Sequence, residues 1–215
     1  MKRAMFILMV CVAVPVAAMA DITWTFGGDP HSEGGLTTSR TDAVVDTFSG
    51  VRPGWTWTFE GGGGDVTSGS IEGVKAAPWG LTDTAMYFCV PEPVDPPTTH
   101  AGTATVDFGS YQSYLGIYWG SIDAYNSITF YDGDLELASF TGAQIIAPDE
   151  AKGDWTGETN NRYVNFTGVV FDKVKFSTSE IAFEFDNLAV VPLPGAVLLG
   201  FLGLGYAGMK LRKMV

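Results

Sequence analysis

Between Asp21 and Val191 no stretch of this chain carries a 3.6-residue apolar period. Short runs rich in Val, Ile, Thr, Phe, Tyr and Trp alternate instead with Gly, Asp, Asn and Pro. Those runs suit extended backbone, because branched and aromatic side chains pack on a pleated surface and the punctuating residues supply turns. Strands are expected at 22–26, 43–49, 55–60, 66–74, 84–90, 102–108, 114–120, 126–131, 135–140, 162–170, 173–178 and 181–190. Strict alternation in Ile181-Ala182-Phe183-Glu184-Phe185-Asp186 turns Phe183 and Phe185 inward and Glu184 and Asp186 outward. So many short strands predict an all-β fold of two packed antiparallel sheets, a jelly-roll-like β-sandwich.

The two ends obey different rules. Lys2 and Arg3 precede the apolar run Ala4 to Val16, and Ala18-Met19-Ala20 offers small residues at a cleavage position before Asp21. That order is a secretory signal peptide over residues 1–20, and it implies the Sec translocon and signal peptidase as partners. At the other end, Leu188 to Met209 runs 22 residues without a charge. At about 1.5 Å per residue such a helix spans a hydrocarbon core of roughly 30 Å. Lys210, Arg212 and Lys213 then favour the cytoplasmic side, which leaves the body facing outward. The chain therefore divides into a signal peptide (1–20), a body (21–190) and a C-terminal segment (191–215).

Charge narrows the partners of the body. All 24 acidic residues and only seven of the 12 basic ones lie between Asp21 and Asp186, a formal charge of −17. Phosphate backbones need a cationic face, so nucleic acid is excluded as a partner. Cys89 is the one thiol of the body and sits in the apolar run Ala85 to Val90, the setting of a core cysteine. His31 and His100 are the only histidines, and HExxH, GxSxG and SxxK are absent. No catalytic residue is assigned, and the expectation is a protein that is not an enzyme.

Three constellations could hold a ligand. Asp132-Gly133-Asp134-Leu135-Glu136 spaces oxygen ligands alternately, so Asp132, Asp134 and Glu136 could bind calcium; Asp-Gly between two strands is equally a hairpin turn. Asp123 and Asp186 could contribute to a separate calcium site at the sandwich edge. No other cofactor is implied. The rings of Trp55, Trp57, Tyr118, Trp119, Tyr125 and Tyr131 could stack on sugar, with Trp119, Tyr118 and Tyr125 the leading candidates. Tyr118 and Trp119 face opposite ways on a strand, so only one of them is expected in the core.

Val191-Pro192-Leu193-Pro194-Gly195, the apolar span and the basic stop stand in an order that resembles the PEP-CTERM sorting signal of exosortase substrates. The nearest form is the VPLPA-CTERM variant, with Gly195 in place of Ala. Tyr114 to Asn126, running into Ile128-Thr129-Phe130-Tyr131 and most specific at its core Tyr118-Trp119-Gly120-Ser121-Ile122-Asp123, and Phe183 to Val190 also resemble segments of a family of exosortase-dependent surface proteins of unknown biochemical role. The resemblance implies a Gram-negative source and processing at the membrane by an exosortase-type cysteine enzyme. It also implies display at the cell surface or in the extracellular matrix, with exopolysaccharide as partner. The leading expectation is a non-enzymatic exported surface protein. The alternatives are a carbohydrate-binding module, with calcium as a possible stabiliser, and a glycoside-acting enzyme, which needs two carboxylates either about 5–5.5 Å or about 6.5–9.5 Å apart in a cleft.

Overall fold

A computed structural model of the protein describes residues 22–195. The signal-peptide positions Ala18, Ala20 and Asp21, the span Ala196 to Met209, and Lys210, Arg212 and Lys213 lie outside the described residues. Among the described residues no helix is long and apolar enough to cross a membrane.

Among the described residues the regular structure is almost all antiparallel strand, joined by long loops. Its first half runs through β1 (Thr23–Phe26), β2 (Asp29–Pro30), β3 (Leu36–Thr37), β4 (Val44–Asp46), β5 (Thr56–Gly61), β6 (Asp65–Ser68) and β7 (Met86–Val90). The second half holds β8 (Gly102–Gly120), β9 (Asn126–Asp132), β10 (Leu135–Thr141), the one-turn helix α1 (Gly142–Ile145), β11 (Arg162–Thr167), β12 (Phe171–Thr178) and β13 (Phe183–Pro192).

β8 organises the fold, because its two halves belong to two layers. Residues 102–107 pair with β12 on one side and β5 on the other, and β12 continues to β9 and β10. Residues 112–120 pair with β11 and β13, which continue to β1 and to β4, β7 and β6. The crossing falls at exposed Gly109 and Ser110, where Gly109 takes φ +70° and its N–H donates to the Asp107 carboxylate at 2.8 Å. The sequence pattern anticipated two strands here, 102–108 and 114–120; the chain instead stays extended through the bend. β2 and β3, inside the polar stretch 29–39, are a further difference: their two residues apiece are too short to carry an alternating signal.

The layers close on an aromatic core. Phe176 on β12 stacks on Phe185 of β13 with centroids 4.2 Å apart, and Trp57 on β5 stacks on Phe88 of β7 at 4.6 Å. Trp119 lies on Phe183 at 4.6 Å, and Phe130 meets both Phe166 and Phe171. Trp119, Phe130, Phe166, Phe171, Phe176, Phe183 and Phe185 are fully buried.

The second layer is covered on its outer face as well. Loops from residues 29–38 and 69–82 fold over β8 and β13. The Tyr118 hydroxyl donates to the Trp79 carbonyl at 2.5 Å, and the Asn187 amide to Leu36 at 2.9 Å. The Ala76 N–H donates to the Glu184 carboxyl at 2.7 Å. Alternation correctly separates Phe183 and Phe185 from Glu184 and Asp186, but the acids do not face solvent: they are 2% and 0% exposed.

The β9–β10 hairpin is the turn expected at Asp132 to Glu136. Leu135 pairs with Asp132, and Gly133 sits at φ +58° with open space where a Cβ would stand. Exchanging Gly133→Ala therefore costs only the left-handed backbone, about 1–2 kcal/mol in a urea titration. A larger loss would mean that the turn does more than reverse the chain.

Candidate functional site

The site is built where four segments converge at one end of the sandwich. Residues 121–125 leave β8 and are held to the loop 147–161 by backbone bonds from Ile122 N to Asn160 O (2.8 Å), Ala124 N to Ala151 O (3.2 Å) and Gly153 N to Ile122 O (3.3 Å). Gly153, at φ +66°, lets that loop lie directly against Asp123: a Cβ there would stand 2.5 Å from the carboxylate. The loop 70–76 crosses Glu184, and residues 180–182 lead into β13. Between them is a hollow of about 540 Å³.

Buried polar residues and one exposed indole line it. Ser121, Asp123 and Glu184 are buried, Tyr125 is half-buried, and Trp155 stands 50% exposed at the rim. The Glu184 Oε1 accepts from Ala76, whereas its Oε2 has no partner; the Ser121 hydroxyl has none either. Burial pushes the Glu184 carboxyl up to about 8, against the Ala76 bond that lowers it, and the nearby Asp123 adds to the rise. Burial also lifts Asp123 to about 6, although its bond with Tyr125 works in the other direction. The Tyr125 hydroxyl lies 2.8 Å from both Asp123 Oδ2 and the Ile181 carbonyl. It carries one hydrogen between two acceptors. A proton on Asp123 would satisfy both contacts, which agrees with the upward shift.

A second hollow, of about 590 Å³, lies between Phe26, Trp79, Tyr118, Glu158, Arg162 and Tyr163. Its buried polar atoms are already partnered: Tyr118 donates to Trp79, Tyr163 to the Asn187 carbonyl, and the Asn161 Oδ1 accepts from Trp79 and Ser121 N–H. The first hollow, with two unpartnered buried groups, is the better candidate.

The residues singled out from sequence fall in different places. Tyr125 lines the first hollow. Tyr118 and Trp119 are 1% and 0% exposed, so both are core and neither ring face is open to a ligand. The expectation that only one would be buried fails because the loops that carry Trp79 and Leu36 cover the outer face of β8 as fully as the opposite layer covers the inner one. Trp57 and Trp55 pack on Phe88 and Phe108, and Tyr131 lies under the Lys175 ammonium at 5.3 Å. The six rings do not form one platform.

Asp132, Asp134 and Glu136 do not converge either. Asp132 accepts from the Tyr111 hydroxyl at 2.9 Å, and fully exposed Asp134 lies 3.3 Å from Lys173. Among the described residues no group of three or more acidic, histidine or cysteine side chains is placed to hold a metal. Asp123 shares its hollow with Glu184 and, at the exposed edge, Glu72 and Glu180, but not with Asp186. Cys89 is fully buried, and burial pushes its thiol well up, as befits a core cysteine.

The motif Val191 to Gly195 begins inside the sheet. Val191 is buried, Pro192 pairs with Gln112, and the Leu193 N–H donates to the Tyr111 carbonyl at 2.7 Å. Pro192, Pro194 and Gly195 are exposed.

Trp155, Ser121 and Glu184 were not among the expected site residues. Trp155 had a legible signal, since it is the lone ring in the polar stretch Lys152-Gly153-Asp154-Trp155-Thr156-Gly157. A large apolar side chain held in a polar loop needs either a core to enter or a ligand to meet.

No family model and no curated protein matches the chain. Two solved structures are similar. One is a fucose-binding module of Streptococcus pneumoniae, 17% identical, with 45% of this chain and 69% of that one covered at a TM-score of 0.31. The other is CpGH89CBM32-6, produced by Clostridium perfringens, 12% identical over 60% of this chain and 94% of that one, also at 0.31. At that score the likeness decides neither strand topology nor ligand, and the hollow at Trp155 rests on its own geometry.

Proposed function

We propose that the body is a non-enzymatic carbohydrate-binding domain, a jelly-roll-like sandwich, displayed outside the cell. The observation that carries the binding reading is a half-exposed indole at the mouth of a hollow whose buried floor holds two unpartnered polar groups, Glu184 Oε2 and Ser121 Oγ. An indole covers the apolar face of a sugar ring, and carboxyls and hydroxyls bond its hydroxyls. An unmade bond at a buried group costs about 1–3 kcal/mol, so a ligand that completes it gains by that amount of relief. Screening the protein against neutral and amino-sugar oligomers should find a binder. Trp155→Ala should weaken that binder about tenfold or more by calorimetry, the equivalent of about 1.4 kcal/mol. Unchanged affinity in that variant would move the site elsewhere.

The location rests on the two ends of the sequence. We read residues 1–20 as a Sec signal cut by signal peptidase, and Val191 to Val215 as a sorting segment handled by an exosortase-type enzyme before display among exopolysaccharide. Intact mass of the protein from its host tests this. A species that starts at Asp21 and ends between Val191 and Gly195 is expected, and one that retains Lys210 to Val215 in the inner membrane would make the tail a plain anchor.

Asp123 and Glu184 are the two buried carboxyls of the hollow, so a glycoside-acting enzyme keeps them as a candidate pair. The expected outcome of incubation with the bound oligosaccharide is no new reducing ends. Calcium remains a separate proposal, tested by its effect on melting temperature.

A further inference from the structure

The hollow contains carboxyls for which the protein supplies no cation. Asp46, just 2% exposed, is paired with Arg52 at 2.9 Å. Glu184 is equally buried, yet among the described residues neither it nor Asp123 takes part in a salt bridge. The cations near the hollow are engaged or peripheral. The Lys75 ammonium donates to Thr67 and to the Ser68 carbonyl, and His100 lies 3.5 Å from Glu180 with both side chains about 60% exposed. Lys152 and Glu72 are exposed on the rim. A buried carboxyl without a cation must hold a proton or await a positive ligand. The Glu184 Oε2 is buried without any partner, and the unpartnered Ser121 hydroxyl lines the same hollow.

We propose that the hollow selects a sugar that bears a primary amine, with its ammonium seated between Asp123 and Glu184 and the sugar ring against Trp155. This rests on the carbohydrate reading and narrows it. The ammonium brings the donor that Glu184 Oε2 lacks and a charge-assisted bond to Asp123, and Ser121 bonds an adjacent hydroxyl. The body's charge of −17 draws such a ligand in from solution. The raised affinity of both carboxyls for protons is the same feature seen without ligand: a site that wants positive charge takes a hydrogen ion.

The test is calorimetry of the full-length protein in detergent with a β-1,4-linked glucosamine tetramer and with its fully N-acetylated counterpart. The amine form should bind about tenfold or more tightly than the acetylated form, since a charge-assisted bond is replaced by a neutral amide. Glu184→Gln keeps an acceptor for Ala76 and removes the charge, so it should bring the ratio to about one. Circular dichroism confirms that the variant is folded. Asp123→Asn, made in parallel, should lower the ratio in the same direction. Equal affinity of the two sugars would overturn the amine selectivity and leave the carbohydrate reading standing. Binding of neither would end both. Undiminished selectivity in Glu184→Gln and Asp123→Asn would remove the two carboxyls from the site.

Discussion

Raising the pH from 5 to 8.5 lowers the stability of this protein. Glu184 and Asp186 are the cause. Burial pushes each carboxyl up to about 8, from ordinary values of 4.5 and 3.8. The bonds from Ala76 and Asn187 N–H oppose the rise but do not cancel it. Between about pH 5 and pH 8 the unfolded chain has released most of both protons and the folded chain keeps them, releasing them only as the pH passes about 8. Folded protein therefore binds more protons, and stability must fall as pH rises. The contribution is complete below about pH 4 and lost through about pH 8, at a slope of about 1.4 kcal/mol per pH unit for each group. Asp123, lifted to about 6, adds to the lower part of the window. Asp42 and Asp154, held low by Arg40 and Thr156, act in the opposite sense, but only at pH below their ordinary value of 3.8. Urea midpoints at half-unit pH steps read the slope directly. Glu184→Gln and Asp186→Asn should each remove about half of it. Stability that climbs with pH over the same window would show that the two acids are ionised in the folded state.

Phe185→Ala is the core substitution expected to cost most. The ring contacts four others: Phe176 at 4.2 Å, Phe88 at 5.4 Å, Phe183 at 5.5 Å and Phe48 at 5.7 Å. These come from β12, β7, β13 and the loop after β4, so the ring joins both layers. Its removal leaves a cavity that rigid strands cannot fill, at about 3–5 kcal/mol. Against a typical total of about 5–15 kcal/mol, that brings the protein close to unfolding. Phe59→Ala is the control, because Phe59 is 48% exposed and stacks only at the edge of Phe88, at 6.3 Å. It should lose much less. Similar losses for the two variants in a urea titration would mean that the aromatic stack is not what holds the layers together.

Much of the strand pattern was legible in the residues. The expected 126–131, 135–140 and 173–178 lie within one or two residues of β9, β10 and β12, because turns with Gly or Asp bound runs of branched and aromatic side chains. The expected strand 66–74 ends at Ser68 instead. The rest of that segment bends across the outer face, a role decided by Glu184 more than a hundred positions away. The candidate site was less legible still. Tyr125 was found, but Trp155, Ser121 and Glu184 become a site only because backbone bonds from Ile122 and Ala124 bring the loop 147–161 against the end of β8.

Alternation alone determined the relation between neighbours on a strand: Phe183 and Phe185 on one side, Glu184 and Asp186 on the other. A period of two is local, because successive side chains on extended backbone must point to opposite faces. What lies over each face is not local. Only the tertiary structure decided that loops from residues 29–38 and 69–82 close over β8 and β13. That closure turned two outward acids into buried carboxyls, made both Tyr118 and Trp119 core, and left a hollow lined by both Glu184 and Asp123. The covering segments lie far along the chain, and their contacts are set by packing and hydrogen bonds that no pattern within the strand records.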